Sequence, residues 1–331
     1  MESQTCNIKA VILVGSADFG RCPAASRQNR AMWPFAGRPV LQRLLDHLAY
    51  CGISKSVICC SSEEKRIQRH LKIPKQMETV FRFETFPRGP AGCIRDAADI
   101  EHDDLLLVMP AAILNLPPLE PLISAHRSNG VDMTVFMDPP QNPQGPPANA
   151  RIYVCRPEIV KQIPQTGFFD IKENLIPAMI KAGQTVYAEQ LQTPAGNFLG
   201  LEEYFSGVRE FIAALPNASL LPAGYAADKD RPGVFTAAGV KIHPDVNITG
   251  PVLIGKNTKI NPDVLIFGPA MIEDEVLIER GTVLSGSIVW GQARIESDCR
   301  IHSALIDSEK TVPAKSDIYN QMLVVKNGWI D

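Results

Sequence analysis

The stretch VKIHPDVNITGPVLIGKNTKINPDVLIFGPAMIEDEVLIERGTVLSGSIVW, residues 240–290, decides the fold of the C-terminal part of this chain. Isoleucine recurs in it at every sixth position: Ile242, Ile248, Ile254, Ile260, Ile266, Ile272 and Ile278, with Leu284 and Trp290 continuing the series. A six-residue period fits neither a helix nor a hairpin array, but it fits a solenoid in which each hexapeptide forms one short side of a stacked coil. The apolar series fails at Glu296 and His302, so we expect the solenoid to end or to be capped there.

The chain before this repeat alternates between strand and helix patterns. The runs IKAVILV, KSVICCS, DDLLLVMP and DMTVFMD predict strands, and PVLQRLLDHLAYCG and LEPLISAHRSNG predict helices that each end at a glycine. This order predicts an α/β fold with a mostly parallel, Rossmann-like sheet and helices on both faces. Ligands bind such sheets at the carboxyl ends of the strands, which directs attention to the loops after Val14 and Met109.

A segment rich in proline, glycine and alanine separates the two patterns and predicts a linker. We therefore expect an α/β domain at residues 1–216, a linker at 217–239, the solenoid at 240–310 and a C-terminal tail at 311–331.

Composition restricts the classes of function. The net charge of -3 gives no general attraction to nucleic acid, and no apolar run is long enough to span a membrane. The eight cysteines include no C-x-x-C pair, which favours reduced thiols. We expect a cytoplasmic protein without nucleic-acid or membrane partners.

The stretch VILVGSADFGRCPAASRQNRAMWPFAGRPVL, residues 11–41, has the layout of a phosphate-handling loop between a strand and a helix. It resembles the loop G-G-x-G-T-R-L-x-P-L-T, with the P-K pair and the P-V-x-G-x-P-x-L segment that follow it, in the sugar-phosphate nucleotidyltransferases. The positions it keeps are Gly15, Pro23, Pro34, Gly37, Pro39 and Leu41. The resemblance covers nearly the whole chain and implies a GT-A-like sheet followed by a left-handed parallel β-helix.

Several chemical positions of that loop differ from the family pattern. Ser16 and Asp18 stand for two glycines, Gly20 stands for the arginine, and Arg30 stands for the lysine. An anionic side chain at position 18 would repel phosphate, and Gly20 removes a positive charge that steadies the leaving pyrophosphate. Arg21, one place after the arginine position, and Arg30 are the candidates for a catalytic basic residue.

Other motifs of the family are partly kept. ETFPRGPAG, residues 84–92, resembles the loop that holds the base, and NARIYV, residues 148–153, resembles the sugar-side N-x-G-x-Y segment. The resemblance thus implies that Asn149 and Tyr153 lie on the sugar-binding side of the site. The implied nucleotide-binding residues are Gly15, Ser16, Pro87, Gly89, Ala91 and Gly92.

The magnesium positions of the family have lost their acids. Ala111 stands where the family has the aspartate of a G-D pair, and Asn197 stands where a second aspartate precedes the retained Tyr204. We therefore predict no metal ligands at these positions, and Mg²⁺ would be a cofactor only if the protein were active.

These departures favour a catalytically degenerate nucleotidyltransferase that binds a nucleotide or nucleotide sugar, or acts as a regulatory or structural subunit in nucleotide-sugar metabolism. One alternative is a divergent active enzyme that makes a nucleotide sugar from a nucleoside triphosphate and a sugar 1-phosphate. A second alternative is an interaction scaffold without a ligand. The flat solenoid sides favour a homo- or hetero-oligomer, and His126 is predicted to be a surface or capping residue.

Overall fold

A computed structural model describes residues 7–15, 28–61, 65–140, 145–217 and 221–323. The chain divides into two compact units. The first holds the N-terminal strand, Asn29–Met32 and Val40–Asn197, and the second holds Trp33–Pro39 and the chain from Phe198 onward.

The strands before residue 191 supply one large sheet and one small hairpin. In chain order they are β1 (Ile8–Leu13), β2 (Pro34–Phe35), β3 (Arg38–Pro39), β4 (Lys55–Ser61), β5 (Glu78–Glu84), β6 (Leu105–Pro110), β7 (Met133–Asp138), β8 (Ala148–Cys155) and β9 (Val186–Gln190). Strands β2 and β3 form an antiparallel hairpin in the second unit. The other seven form the sheet of the first unit, in the order β5-β4-β1-β6-β8-β7-β9.

Six α-helices accompany these strands in the described residues: α1 (Val40–Tyr50), α2 (Ile67–His70), α3 (Gly89–Ala97), α4 (Leu119–Asn129), α5 (Ile176–Lys181) and α6 (Leu201–Ala214). Three-ten turns cover Arg30–Met32, Pro157–Gln162 and Leu215–Asn217, and a π-helical turn covers Ile171–Leu175.

The sheet of the first unit is covered on both faces, as its continuous apolar strands predicted. Within β1, Ala10 and Ile12 join one buried cluster while Val11 joins another. The predicted α/β architecture with a mostly parallel sheet is confirmed. Strand β8 is the exception, because it runs antiparallel to both β6 and β7. Strand β5 was not predicted, because as an edge strand it alternates half-buried with exposed residues and lacks a continuous apolar run.

The second unit is a parallel β-helix, which confirms the solenoid prediction. Its strands are β10 (Tyr225–Ala227), β11 (Val234–Ala237), β12 (Lys241–Ile242), β13 (Asn247–Thr249), β14 (Val252–Ile254), β15 (Lys259–Ile260), β16 (Leu265–Phe267), β17 (Ala270–Ile272), β18 (Leu277–Ile278), β19 (Val283–Ser285), β20 (Ile288–Val289), β21 (Arg294–Ile295), β22 (Arg300–His302), β23 (Leu305–Ile306), β24 (Thr311–Val312), β25 (Asp317–Tyr319) and β26 (Met322–Leu323).

These strands form three sheets, which are the three sides of the solenoid. The orders are β10-β11-β14-β17-β20-β23-β26, β12-β15-β18-β21-β24 and β13-β16-β19-β22-β25. Every pairing is parallel except that of β10 with β11. The isoleucines of the repeat stack on one another inside the coils.

The solenoid was predicted to end or to be capped at Glu296 and His302, but it continues past them. The length of a coil changes along the solenoid. Ile242, Ile260 and Ile278 pair at intervals of 18 residues, whereas Ile278, Ile295 and Val312 pair at intervals of 17. One residue is lost at a corner, because three residues separate Phe267 from Met271 but two separate their partners Ser285 and Ile288. The inward series therefore continues beyond that corner, through Val289, Ile295, Ile301, Ile306, Val312 and Ile318.

Two expected boundaries differ from the structure. The segment 217–239, expected to be a linker, contains β10 and β11, and β11 pairs with β14 of the solenoid. The tail expected from residue 311 contains β24, β25 and β26, which continue the three sheets.

Helix α6 belongs to the second unit rather than to the α/β domain expected to reach residue 216. It contacts β17, and its Tyr204, Val208 and Ile212 are buried. The solenoid contributes an outward apolar row that is fully buried: Leu253, Met271, Ile288 and Leu305. An amphipathic helix and an apolar side of the solenoid thus bury each other's surface.

Trp290 lies outside the coils, although the six-residue count predicted it inside. Val289 takes the inward place, and the Trp290 ring contacts Trp33 and Tyr204. Its indole N–H donates a 3.0 Å hydrogen bond to the Tyr204 hydroxyl. In the neighbouring hairpin, the Gly37 N–H donates a 2.7 Å bond to the Glu273 carboxylate.

Within the described ranges, no helix combines the length and the apolar character needed to cross a lipid bilayer. The six cysteines of those ranges, Cys51, Cys59, Cys60, Cys93, Cys155 and Cys299, are free thiols.

Candidate functional site

The two loops singled out in the sequence lie side by side at one edge of the first unit's sheet. Strands β1 and β6 are parallel neighbours, with Leu13 paired to Pro110. The Ala111 N–H then donates a 3.0 Å hydrogen bond to the Leu13 carbonyl. The carboxyl ends of these strands therefore form the edge at which such sheets bind ligands.

Arg30 lies against the backbone of the first loop. The Asn29 amide donates a 3.0 Å hydrogen bond to the Gly15 carbonyl, and its oxygen accepts one of 3.0 Å from the Ala31 N–H. Asn29 thereby fixes the turn that carries Arg30. A Cβ at Gly15 would lie 3.7 Å from the Arg30 guanidinium, so a positive charge stands beside this strand end. Ser16, Arg21 and the departures at Asp18 and Gly20 fall outside the described residues.

The two magnesium positions of the family pattern lie close together in the structure. Ile113, two residues after Ala111, forms an isolated antiparallel bridge with Asn197. Ala111 is buried and has no side-chain ligand atom. The Asn197 amide nitrogen donates to the Ala150 carbonyl, which leaves its oxygen facing away, buried and without a hydrogen-bond partner.

This pair is a poor fit for Mg²⁺, which proteins bind through carboxylates and water in octahedral geometry. Ala111 and Asn197 together offer one neutral oxygen. In the part of the chain that the structure describes, no group of three or more histidine, cysteine, aspartate or glutamate residues is arranged to hold a metal ion.

Asp138 is a charged residue of this edge that the sequence analysis did not single out. It ends β7, which runs in the same direction as β6, and its carboxylate accepts a 2.7 Å hydrogen bond from the Ala195 N–H. Burial raises the pKa of its carboxyl group, and the hydrogen bond partly offsets this. The available signal was an acid directly after a buried strand, at the end where ligands bind.

The expected base-binding loop joins β5 to α3 and is tightly packed. Gly89 has a φ of +77°, and a Cβ there would lie 2.6 Å from the Phe169 carbonyl oxygen. Backbone hydrogen bonds tie the two segments together, from Phe169 N–H to the Arg88 carbonyl at 2.9 Å and from Ala91 N–H to the Phe169 carbonyl at 3.1 Å. Only glycine fits this approach without strain.

The two residues expected on the sugar side are in contact. The Asn149 amide donates a 3.1 Å hydrogen bond to the Tyr153 hydroxyl, and the Asn149 oxygen accepts one of 2.7 Å from the Arg151 N–H. Burial raises the pKa of Tyr153, and the negative charge of Asp170 contributes to the rise. Asp170 itself caps the turn that follows, accepting bonds from the Lys172 and Glu173 N–H groups.

This edge of the sheet therefore keeps groups that can bind a ligand but lacks groups that can bind a metal ion. It has a basic side chain at the first loop, a glycine-dependent turn before α3 and a pair of polar side chains on β8. Such groups can position a phosphate-bearing ligand, but the family's metal positions lack their acids.

Comparison with known proteins identifies the class of this architecture. Residues 9–145 match the family model described as nucleotidyl transferase. The chain is 23% identical over 326 residues to a mannose-1-phosphate guanylyltransferase of Mycobacterium tuberculosis, covering 90% of this chain and 84% of the relative.

Two other relatives extend over similar lengths. A UTP--glucose-1-phosphate uridylyltransferase of Synechocystis is 22% identical over 341 residues, covering 90% of this chain and 87% of the relative. A mannose-1-phosphate guanyltransferase of Aspergillus fumigatus is 26% identical over 323 residues, covering 88% and 85%.

Proposed function

Because this chain belongs to the sugar-phosphate nucleotidyltransferase family, we propose that it is a catalytically degenerate member that binds a nucleotide or nucleotide sugar. It acts in the cytoplasm, either through that ligand or as a regulatory or structural subunit in nucleotide-sugar metabolism. The observation that carries the proposal is the pair Ala111 and Asn197, which supplies one neutral oxygen where the family pattern has two carboxylates.

The loss of both acids acts on the chemical step. In nucleotidyl transfer a divalent cation neutralises charge that develops as pyrophosphate leaves. Each ~1.4 kcal/mol of lost transition-state stabilisation slows the reaction about tenfold, so losing several kcal/mol removes several powers of ten. Arg30 carries one positive charge beside Gly15, which is less than a clamped divalent cation supplies.

Ligand binding makes smaller demands than catalysis. The Gly89 turn keeps its close contact with Phe169, and Asn149 and Tyr153 keep their hydrogen bond. Pro87, Ala91 and Gly92 stand in the same loop and helix start. These features support a site that still accepts a base, a sugar and their connecting phosphates without the metal.

A divergent active enzyme is the second candidate, and Asp138 favours it. In that reaction a sugar 1-phosphate oxygen attacks the α-phosphorus of a nucleoside triphosphate, and pyrophosphate leaves. The Asp138 carboxylate stands at the same sheet edge as Ala111, where it offers a relocated metal ligand. A scaffold without any ligand is the third candidate.

A thermal-shift panel separates these candidates. We expect at least one nucleoside triphosphate or nucleotide sugar to raise the melting temperature equally with Mg²⁺ and with a chelator. A shift that requires Mg²⁺, with pyrophosphate release at ordinary enzyme rates, would support the active enzyme. No shift with any ligand would support the scaffold.

We also propose that the solenoid mediates association, as a homo- or hetero-oligomer. The side formed by β13, β16, β19, β22 and β25 exposes two aromatic rings, Phe267 and Tyr319, on its outer face. Exposed aromatic side chains on a flat, repetitive surface are typical of protein contacts.

A further inference from the structure

A cavity of about 260 Å³ lies where the parallel strands of the first unit's sheet begin. The candidate nucleotide site lies at the opposite ends of these strands. The lining residues of the cavity are Asp104, Leu105, His126, Arg127, Gly130, Val131 and Arg156. Asp104 and Leu105 lie at the start of β6, Val131 precedes β7, and Arg156 follows the antiparallel β8. All of these positions are at the amino ends of the parallel strands, away from Gly15 and Ala111.

His126 is buried in this cavity wall, which corrects its expected place on the surface. Its side chain is 2% exposed, and Nδ1 forms a 2.9 Å hydrogen bond with the Thr134 hydroxyl. Thr134 lies on β7 and is fully buried. The hydrogen bond therefore fixes the imidazole ring at the wall of the cavity rather than at the solvent-exposed end of α4.

Two guanidinium groups share the cavity with this imidazole. Arg127 forms no ion pair among the described residues, and the Arg156 pairing with Asp132 is a long one of 4.0 Å. The pKa of His126 is lowered to about 4, first by burial and then by the charges of Arg156 and Arg127, while Asp132 opposes them. The imidazole is therefore neutral near pH 7, and the two guanidinium charges favour an anion bound between them.

The remaining lining groups accept hydrogen bonds. Asp104 carries a carboxylate, which accepts a 2.7 Å hydrogen bond from the Asn7 N–H. Helix α4 also ends here, at Gly130 with a φ of +62°, and the carbonyl end of a helix carries partial negative charge. A bare anion would be repelled by these groups, whereas hydroxyl or ammonium donors on the ligand would satisfy them.

We propose that this cavity binds a small metabolite that carries an oxyanion, phosphate or carboxylate, together with hydrogen-bond donors. Arg127 and Arg156 bind the oxyanion, and Asp104 and the carbonyl end of α4 accept from the donors. Guanidinium groups suit this role because they present paired N–H donors to two oxygens of one anion. The volume admits a ligand no larger than about a phosphorylated monosaccharide. This site is independent of the proposed nucleotide site.

The test is calorimetric titration of the full-length protein with three probes: inorganic phosphate, glucose 6-phosphate and serine. Saturable binding of one organic probe, tighter than inorganic phosphate, is expected. The organic probe that binds identifies the oxyanion as phosphate or carboxylate. The variants Arg127→Gln and Arg156→Gln should each weaken binding by about tenfold or more, since each removes charge-assisted hydrogen bonds. Arg156→Lys keeps the charge but lacks the paired N–H donors of a guanidinium group. Its affinity should lie between those of the natural protein and Arg156→Gln.

Arg82→Gln is the matched control, because Arg82 is an exposed arginine on β5 of the same sheet. It should leave binding unchanged. A second readout localises the ligand: the His126 imidazole proton signals, followed by NMR against pH, should titrate at higher pH when the oxyanion is bound. Binding of no probe, equal binding of inorganic phosphate, or full affinity in both arginine variants would overturn the proposal.

Discussion

Gly89 is a tightly constrained residue of the candidate nucleotide site. Its φ of +77° lies in the left-handed region, and its Cα faces the Phe169 carbonyl oxygen. The turn that begins α3 therefore depends on the absence of a side chain. The sequence motif indicated this position correctly, because glycine in such loops permits close backbone approach.

Replacing Gly89 with alanine tests that dependence. Gly167→Ala is the matched control, because Gly167 also has a positive φ, +92°, but has no atom within 4 Å of the added Cβ. Both variants incur the left-handed strain of about 1–2 kcal/mol. Gly89→Ala should lose a further ~1–3 kcal/mol from overlap with Phe169, measured by urea unfolding. Equal losses in the two variants would contradict the packing described.

At three positions, the contacts seen in the structure could not be predicted from the sequence. It indicated Asn197 as a lost acid, but the hydrogen bond to the Ala150 carbonyl and the buried, unpaired amide oxygen depend on neighbours far apart in sequence. Asp138 was not indicated, because its role depends on β7 running parallel to β6. His126 was expected to be a surface or capping residue. The sequence could not reveal its hydrogen bond to Thr134, because that bond joins a helix to a strand.

At the scale of elements, the solenoid changes its coil length without losing its core. A fixed six-residue count predicted the end of the repeat, because one deleted corner residue moves every later apolar position out of phase. Ile295 and Ile301 lie inside, next to the outward Glu296 and His302. The count could not reveal this, because a corner tolerates a change of length that a strand pairing does not.

Ile301→Asp tests the corrected register. Ile301 is 1% exposed inside the coil, so an aspartate there would bury an uncompensated charge at a cost of roughly 3–5 kcal/mol. His302→Asp, on the exposed face of the same strand, is the matched control and should change the free energy of unfolding by less than about 0.5 kcal/mol. Thermal unfolding of both proteins measures the difference. If the repeat ended at Glu296, the two variants would behave alike.

At the scale of the whole molecule, the two-part organisation was predictable and its boundaries were not. The change from βα alternation to a short period marks two units, and both architectures are confirmed. Helix α6 has an ordinary amphipathic stripe, which does not indicate the surface that it covers. Its assignment to the second unit follows from the outward row that includes Met271 and Ile288, a row that is apparent only once the coils are stacked.

The proposed association through the solenoid predicts a measurable mass. Light scattering on the purified protein should give a multiple of 36.3 kDa if the partner is a second copy. Phe267→Glu with Tyr319→Glu should reduce it to the monomer, because charges would replace the exposed rings on one side. Thr311→Glu, on the exposed face of another side, should leave it unchanged. A monomer at every concentration would leave only a different chain as the partner.

The central claim concerns the two lost carboxylates, and Mn²⁺ binding tests it most directly. Electron paramagnetic resonance titration of Mn²⁺, a spectroscopic substitute for Mg²⁺, should be run with a bound nucleoside triphosphate on the natural protein and on the double variant Ala111→Asp, Asn197→Asp. The single variants and Ala112→Asp serve as controls. We predict that the natural protein adds nothing to the affinity of the nucleotide alone for Mn²⁺, and that the double variant gains a site. Tight Mn²⁺ binding by the natural protein, with release of pyrophosphate when a sugar 1-phosphate is added, would contradict the account.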